Sequence, residues 1–285
     1  MASSGGRILP RARAIQALVA RIEDGDWKAL RFERIGSVLR IVIAHPTLPQ
    51  NRIDGLLHAE LARLFRELRR EDEARALVLT GERGAFSAGG DFGWFPSLDD
   101  LAKLDYLRRD AKQMIWDLLD VELPMVAAVN GPAVGLGASL ALLCDVIFLA
   151  EGATLADPHV RVGLVAGDGG ATIWPLLLGP ARAKQYLLSG DPVPAAEAER
   201  IGLVNFVVPG ARLDAMSLAF AERLAAGAPL AVRLTKQAVN QGLKQSLLTC
   251  FDPSTALEIV TFQSDDHREA LAALREKRPP RFRGR

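Results

Sequence analysis

The feature that most constrains the fold is an apolar, strand-like run that leads into a glycine-rich turn and then into a helix. The run covers residues 126–129 and the turn covers 130–137. The first backbone N–H groups of a helix have no partner within it, and the helix dipole adds partial positive charge there. Because Gly135 and Gly137 carry no Cβ atom, a ligand can approach this backbone closely. The amide of Leu136 is therefore a candidate donor to an oxygen that gains negative charge. A ligand-free strand, turn and packed helix is the alternative.

A second loop of small residues lies about 45 positions upstream, at 84–91, directly after the predicted strand 76–80. Its glycines allow a close approach between backbone and ligand, and Gly90 can present its N–H group. Two loops that each offer one main-chain donor form a candidate site for stabilising an oxyanion.

Composition excludes several classes of protein. Of 285 residues, 49% are hydrophobic and 24% are charged, as in ordinary globular domains, and the formal charge of +1 gives no reason to expect nucleic acid or an anionic membrane as a partner. The two cysteines, Cys144 and Cys250, lie far apart, which argues against disulfides and a cysteine metal site and favours the cytoplasm. The apolar stretch 125–143 is interrupted by glycine and Pro132, so we expect no membrane span there.

The order of the predicted elements indicates an α/β core followed by helices. Residues 1–26 are predicted to form an N-terminal extension, 27–210 the core and 211–285 a C-terminal helical region. The extension contains an arginine-rich, acid-free segment, 7–21, that faintly resembles an organelle transit helix, but a solvated helix at 11–22 is the preferred interpretation. The predicted strands are 27–32, 37–44, 76–80, 126–129, 146–150 and 203–208. The predicted helices are 53–70, 98–119, 170–178, 181–188, 195–201, 213–226, 230–242 and two pieces within 254–275.

Taken in order, these pieces resemble the crotonase superfamily, the enoyl-CoA hydratase/isomerase family. The matching stretches are 84–91, 124–145, 163–170, 188–191, 196–204 and 276–279. The resemblance covers the chain from about Leu30 to its C-terminus. It implies a crotonase-like spiral of ββα units and C-terminal helices that associate, giving a homotrimer or a dimer of trimers. It also implies an acyl-CoA thioester as the substrate, with coenzyme A as part of that substrate and no permanently bound cofactor or metal.

The resemblance further implies roles for individual residues. The amides of Gly90 and Leu136 would hold the thioester oxygen as it becomes an enolate, and the backbone donor survives although leucine replaces the usual glycine at 136. The positions expected to contact substrate or coenzyme A are Asn51, Arg52, Ser87, Ala88, Trp94, Ser139 and Lys277. Core packing is the alternative for Trp94 and Ser139, and solvated surface charge is the alternative for Lys277.

The chain departs from the family at both catalytic glutamates, whose positions hold Ser139 and His159. Serine has no pKa near neutrality and cannot activate water as a general base. The spacing of His159 and Asp168 is instead similar to that in 6-oxocamphor hydrolase, a family member that adds water to cleave a C–C bond between two ketones. This similarity implies a His–Asp pair in which the carboxylate holds the imidazole tautomer. The alternatives are a structural histidine and an Asp168 that caps the helix beginning at Gly170.

Three functional hypotheses follow, in this order. The first is an acyl-CoA enzyme of the hydratase/isomerase type that uses His159 and Asp168. The second is a C–C bond hydrolase acting on a β-diketone or β-oxoacyl substrate. The third is a non-catalytic relative that binds coenzyme A.

Overall fold

The computed structural model describes residues 21–285. Most of the predicted N-terminal extension, including almost all of its predicted helix at 11–22, lies outside these residues. The division of the chain at residues 26 and 210 stays a prediction.

Two sheets organise the described chain. The larger has six strands in the order β1-β2-β3-β4-β6-β9, with β1 antiparallel to β2 and all other neighbours parallel. The smaller has the order β5-β7-β8. The strands are β1 Leu30–Ile35, β2 Val38–Ile43, β3 Ala76–Gly81, β4 Met125–Val129, β5 Ala133–Val134, β6 Val146–Ala150, β7 Thr154–Ala156, β8 Val193–Pro194 and β9 Phe206–Val208.

Helices surround the sheets and form the C-terminal region. They are α1 Gly55–Leu68, α2 Leu101–Asp120, α3 Leu136–Leu142, α4 Gly170–Leu178, α5 Pro180–Ser189, α6 Ala195–Arg200, α7 Leu213–Ala225, α8 Pro229–Phe262 and α9 Asp265–Glu276. The predicted α/β class with a helical C-terminal region is confirmed. The prediction for the last helices is wrong in detail, because α8 is one helix of 34 residues that continues through Pro253. Leu247 and Phe251, one turn apart and buried, anchor it to the core across the segment that we expected to be a break.

Strands β3 and β4 position the functional site. Every residue of both strands is buried, as expected for parallel strands that are covered on both faces. Helix α7 packs against β2, β3, β4 and β6. Since β3 and β4 are parallel neighbours, the loops that follow them leave the sheet side by side at one edge.

The apolar stretch 125–143 contains β4, the turn with β5, and α3, and it is not a single helix. Within the described residues, no single helix combines the length and the apolar character that a membrane crossing requires. The segments Gly210–Ala225 and Pro229–Phe262, bent by 107°, meet these two criteria only as a pair.

Candidate active site

Backbone hydrogen bonds join the two glycine-rich loops. The amides of Phe86 and Ser87 both donate to the carbonyl oxygen of Pro132 at 3.1 Å, and the amide of Val134 donates to the carbonyl oxygen of Ser87 at 2.9 Å. A side chain at Gly137 has no room, because its Cβ would lie 2.6 Å from that same Ser87 oxygen. The loop after β3 therefore rests directly on the turn that precedes α3.

This contact brings the two predicted donors to one cavity. Gly90 pairs with Ile53 as an isolated parallel bridge that uses the carbonyl of Gly89 and the amide of Asp91. In a parallel bridge of this kind, the amide of Gly90 itself points away from Ile53. Leu136 is the first residue of α3. Within residues 21–285, neither amide donates a hydrogen bond to another protein group, and both residues line the same cavity.

His159 reaches this cavity because the strand before it lies beside the turn. The amide of Gly135 donates to the carbonyl oxygen of Ala156, the last residue of β7, at 2.9 Å. Residues 157–159 then leave the sheet next to Leu136. Gly135 has φ +53, and a Cβ there would lie 3.3 Å from Cε1 of His159. The imidazole therefore packs against a glycine that the turn itself requires.

Three carboxyl groups surround the imidazole of His159. Its Nδ1 lies 2.5 Å from Oδ1 of Asp157, which is fully buried. Its Nε2 lies 3.5 Å from Oδ2 of Asp168 and 3.9 Å from Oε1 of Glu258. His159, Asp168 and Glu258 line the cavity together with Gly90 and Leu136. One imidazole, two carboxyl groups and two backbone amides thus line a single cavity.

Burial and charge oppose each other at this cluster. Burial alone lowers the pKa of His159, but the charges and hydrogen bonds of Asp157 and Asp168 outweigh it and raise the pKa well above 6.5. Burial, reinforced by the charge of Asp168, raises the pKa of Glu258 to about 8, although His159 partly offsets this. At neutral pH Glu258 is therefore a carboxylic acid that can donate a proton.

The geometry corrects the predicted role of Asp168. We expected its carboxylate to hold the imidazole tautomer, but Asp157 occupies Nδ1 and Asp168 lies on the Nε2 side. Asp168 does not cap the following helix either, because the N-cap of α4 is Gly169 and no side chain of the described part of the chain forms a capping hydrogen bond there. One oxygen of each aspartate has no hydrogen-bond partner within the described residues.

Two side chains that lie against His159 were missed by the sequence analysis. Asp157 was visible as part of Asp-Pro-His, where a carboxylate two residues before a candidate base is a usable signal. Glu258 lies 99 residues beyond His159, and its only signal is a lone charge within the apolar run 256–260. Asp157, His159 and Asp168 each offer one possible metal-ligand atom, and these three atoms lie within 4.8 Å of one another. A metal ion can bridge this spacing. The absence of a metal stays a prediction.

Two further predicted residues lie at cavities. Trp94 lines the cavity that contains His159 and Glu258. Ala88 lines a second, adjoining cavity, which shares Gly90, Phe95, His159 and Leu164 with the first. These four shared residues form the boundary between the two cavities.

Three of the other predicted contacts, Asn51, Arg52 and Ser87, bond to other groups of the protein. The buried side chain of Asn51 accepts from the amide of His45 and donates to three carbonyl oxygens of the loop 82–86. Arg52 pairs with Asp91 at 3.0 Å, and the hydroxyl of Ser87 donates to the carbonyl of Asn51 at 2.8 Å. Asn51 and Ser87 thus brace the loop that carries Gly90. Ser139 and Lys277 are not among the residues that line either cavity. The hydroxyl of Ser139 is buried and has no hydrogen-bond partner among residues 21–285. Lys277 follows the last residue of α9 in the left-handed conformation.

Comparisons with known proteins identify the family to which the chain belongs. Residues 33–285 match the profile of the family described as Enoyl-CoA hydratase/isomerase. A probable enoyl-CoA hydratase from Rhodobacter capsulatus is 34% identical over 260 residues, which span 91% of this chain and all of that protein.

Two solved structures are also similar. An enoyl-CoA hydratase/isomerase from Mycobacterium paratuberculosis superimposes with a TM-score of 0.83 at 38% identity and covers 87% of this chain and 99% of its own. A beta-diketone hydrolase from the cyanobacterium Anabaena, bound to (S)-3-oxocyclohexyl acetic acid, gives a TM-score of 0.80 at 28% identity and covers 86% and 98%. The fold, the matched residues and these relatives lead to one conclusion: the chain belongs to the enoyl-CoA hydratase/isomerase family, within the crotonase superfamily.

Proposed function

We propose that this protein adds water to a β-dicarbonyl compound and cleaves the C–C bond between its two carbonyl groups. The observation that carries the proposal is the position of His159, held between Asp157 and Asp168 on the wall that also contains the amides of Gly90 and Leu136. Imidazole with a raised pKa is a stronger base than a glutamate, and attack on a ketone requires a well-activated water.

The proposed reaction begins with the neutral form of His159. Its Nε2 takes a proton from water while Asp157 and Asp168 stabilise the imidazolium that forms. The hydroxide attacks one carbonyl carbon, and the C–C bond to the neighbouring carbon breaks. The electron pair moves to the second carbonyl as an enolate, whose oxygen accepts hydrogen bonds from Gly90 and Leu136.

Glu258 completes the proton balance. As an acid with a pKa of about 8, it protonates the enolate carbon, which gives a ketone beside the newly formed carboxylic acid. The imidazolium then returns its proton to Glu258, whose Oε1 lies 3.9 Å from Nε2. One water is consumed, and neither an oxidant nor a cofactor is needed.

Two further observations support hydrolysis over the usual hydration. The resemblance places Ser139 and His159 at the positions of the two family glutamates, so neither carboxylate is expected there. The Anabaena relative is described as a beta-diketone hydrolase and shares the fold over most of this chain.

Hydration of an α,β-unsaturated acyl-CoA is the second candidate, and the description of the Rhodobacter relative as a probable enoyl-CoA hydratase favours it. The same base and acid would add water across the double bond, and the same amides would hold the thioester enolate. In that case the cavity lined by Ala88 is the proposed route for the coenzyme A arm, and Lys277 is a proposed phosphate contact.

The test is a turnover screen of cyclic β-diketones and α,β-unsaturated acyl-CoA thioesters in heavy-oxygen water, read by mass spectrometry. C–C hydrolysis places one heavy oxygen in a new carboxylate, whereas hydration places it in a new hydroxyl group. Cleavage of a diketone supports the proposal. Hydration of thioesters without diketone cleavage replaces it with the second candidate, and no turnover of either class leaves the non-catalytic hypothesis.

A trimer or a dimer of trimers in the cytoplasm is also proposed. Apolar side chains are exposed along α8, as expected for a helix that meets another subunit. They are Leu230, Leu234, Val239, Leu248, Leu257 and Val260. Light scattering coupled to size exclusion measures the mass directly, and a monomer would contradict the proposal.

A further inference from the structure

The short segment before α1 holds the backbone on both sides of Gly90. The amide of Ile53 donates to the carbonyl oxygen of Gly89 at 2.8 Å, and the amide of Asp91 donates to the carbonyl oxygen of Ile53 at 2.9 Å. Gly90 is therefore fixed between two residues that are each bonded to the segment 50–53.

The amide of Gly90 differs from the other amides of its loop. In the described part of the chain, every amide from Ala85 to Asp91 except that of Gly90 donates to another group of the protein. Gly90 also lines the cavity that contains His159. The hydrogen bonds of its neighbours thus leave this one amide for a ligand, and the backbone on either side sets the direction in which it points.

Two residues of the segment 50–53 adopt a backbone conformation that is uncommon for residues with a side chain. Gln50 and Asn51 have φ values of 56 and 50, in the left-handed region. Asparagine is one of the few residues that tolerate this region, and such conformations cluster at functional sites. The carbonyl of Gln50 accepts from the amide of Ala88 at 2.9 Å, and the carbonyl of Asn51 accepts from the hydroxyl of Ser87 at 2.8 Å.

The side chain of Asn51 forms hydrogen bonds at both of its polar atoms. It is 2% exposed, and its oxygen accepts from the amide of His45 at 3.1 Å. Its nitrogen donates to the carbonyl oxygens of Glu82 at 3.1 Å and Ala85 at 3.0 Å, and more weakly to that of Phe86 at 3.4 Å. These partners require a donor and an acceptor on one short side chain. Aspartate has the same shape, but in its ionised form it can only accept.

We propose that Asn51 is a positioning residue for the oxyanion donor: its carboxamide and its left-handed backbone hold the loop 82–91 so that the amide of Gly90 points at the reacting carbonyl. The inference rests on the proposed function, because that function gives the Gly90 amide its role. Asn51 is not among the residues that line either cavity, so it acts through Gly90 and not by contact with the substrate.

The first measurement is kinetic and uses the substrate found in the turnover screen. In Asn51→Asp the loop loses the donor that holds its carbonyl groups, and the Gly90 amide moves away from the reacting carbonyl. We expect kcat to fall about 10²-fold, the effect of a displacement of about 1 Å at a reacting group, with little change in KM. Ser87→Ala removes a single bond to Asn51 and is expected to lower kcat by about tenfold.

Asn240→Asp is the matched control. Asn240 lies on α8, is 4% exposed, and donates from its amide nitrogen to the carbonyl oxygen of Leu119 at 3.0 Å. It is not among the residues that line either cavity, so this variant is expected to lose stability but to keep the wild-type kcat. Circular dichroism and Tm establish that each variant is folded, and Ser87→Ala decides the matter if Asn51→Asp does not fold.

The second measurement requires no turnover. Isotope-edited infrared spectra are recorded for two unreactive probes with a ¹³C carbonyl, cyclohexanone and butanoyl-CoA, bound to each protein. Hydrogen bonds from Gly90 and Leu136 weaken the C=O bond, so the wild type is expected to lower its stretching frequency. Asn51→Asp and Ser87→Ala are expected to move the band back to higher frequency, whereas Asn240→Asp is expected to keep the wild-type position. A loss of stability alone does not move this band.

Three results would overturn the inference. They are a folded Asn51→Asp with wild-type kcat and band position, equal losses in Asn240→Asp, and a wild-type protein that shifts the band of neither probe. Failure of the proposed function is a separate result: no diketone is cleaved, while the band of a bound probe is still shifted and still depends on Asn51.

Discussion

Nδ1 of His159 donates a hydrogen bond to Oδ1 of Asp157, which stands only two residues earlier in the chain. Because Asp157 is buried, this bond fixes the imidazole in one orientation and leaves Nε2 on the side of Asp168 and Glu258. The local sequence thus supplies the support for the base, and distant segments supply its other neighbours.

The first prediction concerns the base itself. In His159→Gln we expect kcat to fall by about 10²- to 10⁴-fold, the usual contribution of general base catalysis, with little change in KM. Steady-state kinetics on the substrate found in the screen measures both constants. A variant that keeps wild-type kcat would show that His159 is a structural residue.

The second prediction separates the two aspartates. In Asp157→Asn the amide can donate to Nδ1 and impose the wrong tautomer, so we expect the larger loss of kcat there. In Asp168→Asn the tautomer is kept but one stabilising charge is lost. The pKa of His159 then falls, and the rising limb of the pH profile moves to lower pH. Equal effects of the two variants on kcat would argue against the assignment of Asp157 to orientation.

The third prediction concerns the pH dependence of the rate. Activity requires neutral His159, so it rises with pH through the raised pKa of that residue, and it requires protonated Glu258, so it falls above about 8. In Glu258→Gln we expect a lower kcat and loss of the falling limb. A falling limb that persists in this variant would assign the acid to another group.

The fourth prediction concerns stability. The pKa of Glu258 is about 8 in the folded protein and about 4.5 in the unfolded chain, so between these values the folded state holds a proton that the unfolded state has released. This group therefore lowers the stability of the wild type as pH rises through that window. The Tm advantage of Glu258→Gln over the wild type is expected to grow over the same range. An advantage independent of pH would contradict the raised pKa.

The fifth prediction tests a backbone donor. Leu136 is the first residue of α3, where proline is tolerated because its position needs no helical N–H bond. Leu136→Pro removes the donor and is expected to lower kcat by about 10²- to 10³-fold. Leu136→Ala keeps the N–H and removes most of the side chain, so its kcat is expected to stay much closer to the wild type. Similar losses in both variants would assign the effect to the side chain.

Much of the fold was predictable because its signals are local. The buried run at 126–129 and the glycines around Leu136 specify a strand, a turn and a helix start almost without reference to the rest of the chain. The full length of helix α8 was not predictable from the sequence, because Pro253 is a strong local signal for a helix end. The helix continues through it, and the neighbouring Phe251 is buried.

The residues of the candidate site also differ in whether their signals are local in the sequence. His159 was a candidate because the family resemblance places it at the position of a catalytic glutamate, and the backbone donors were predicted from glycine placement. Glu258 was not identifiable, because its place in the site comes from partial burial and from its contact with His159, which is distant in the sequence. A charged residue on a predicted helix is assigned to the solvent-exposed face until the packing of that helix is known.

The bond between the Gly135 amide and the Ala156 carbonyl ties the turn that carries the Leu136 amide to the segment that carries His159. One half of this unit consists of main-chain atoms, which substitutions leave largely in place, and the other half consists of side chains that single codon changes can replace. Under the proposed mechanism, carbonyl activation thus depends on main-chain atoms of the fold, while the base depends on a side chain. New reactions can therefore arise in this scaffold through the three residues 157–159 without rebuilding the cavity.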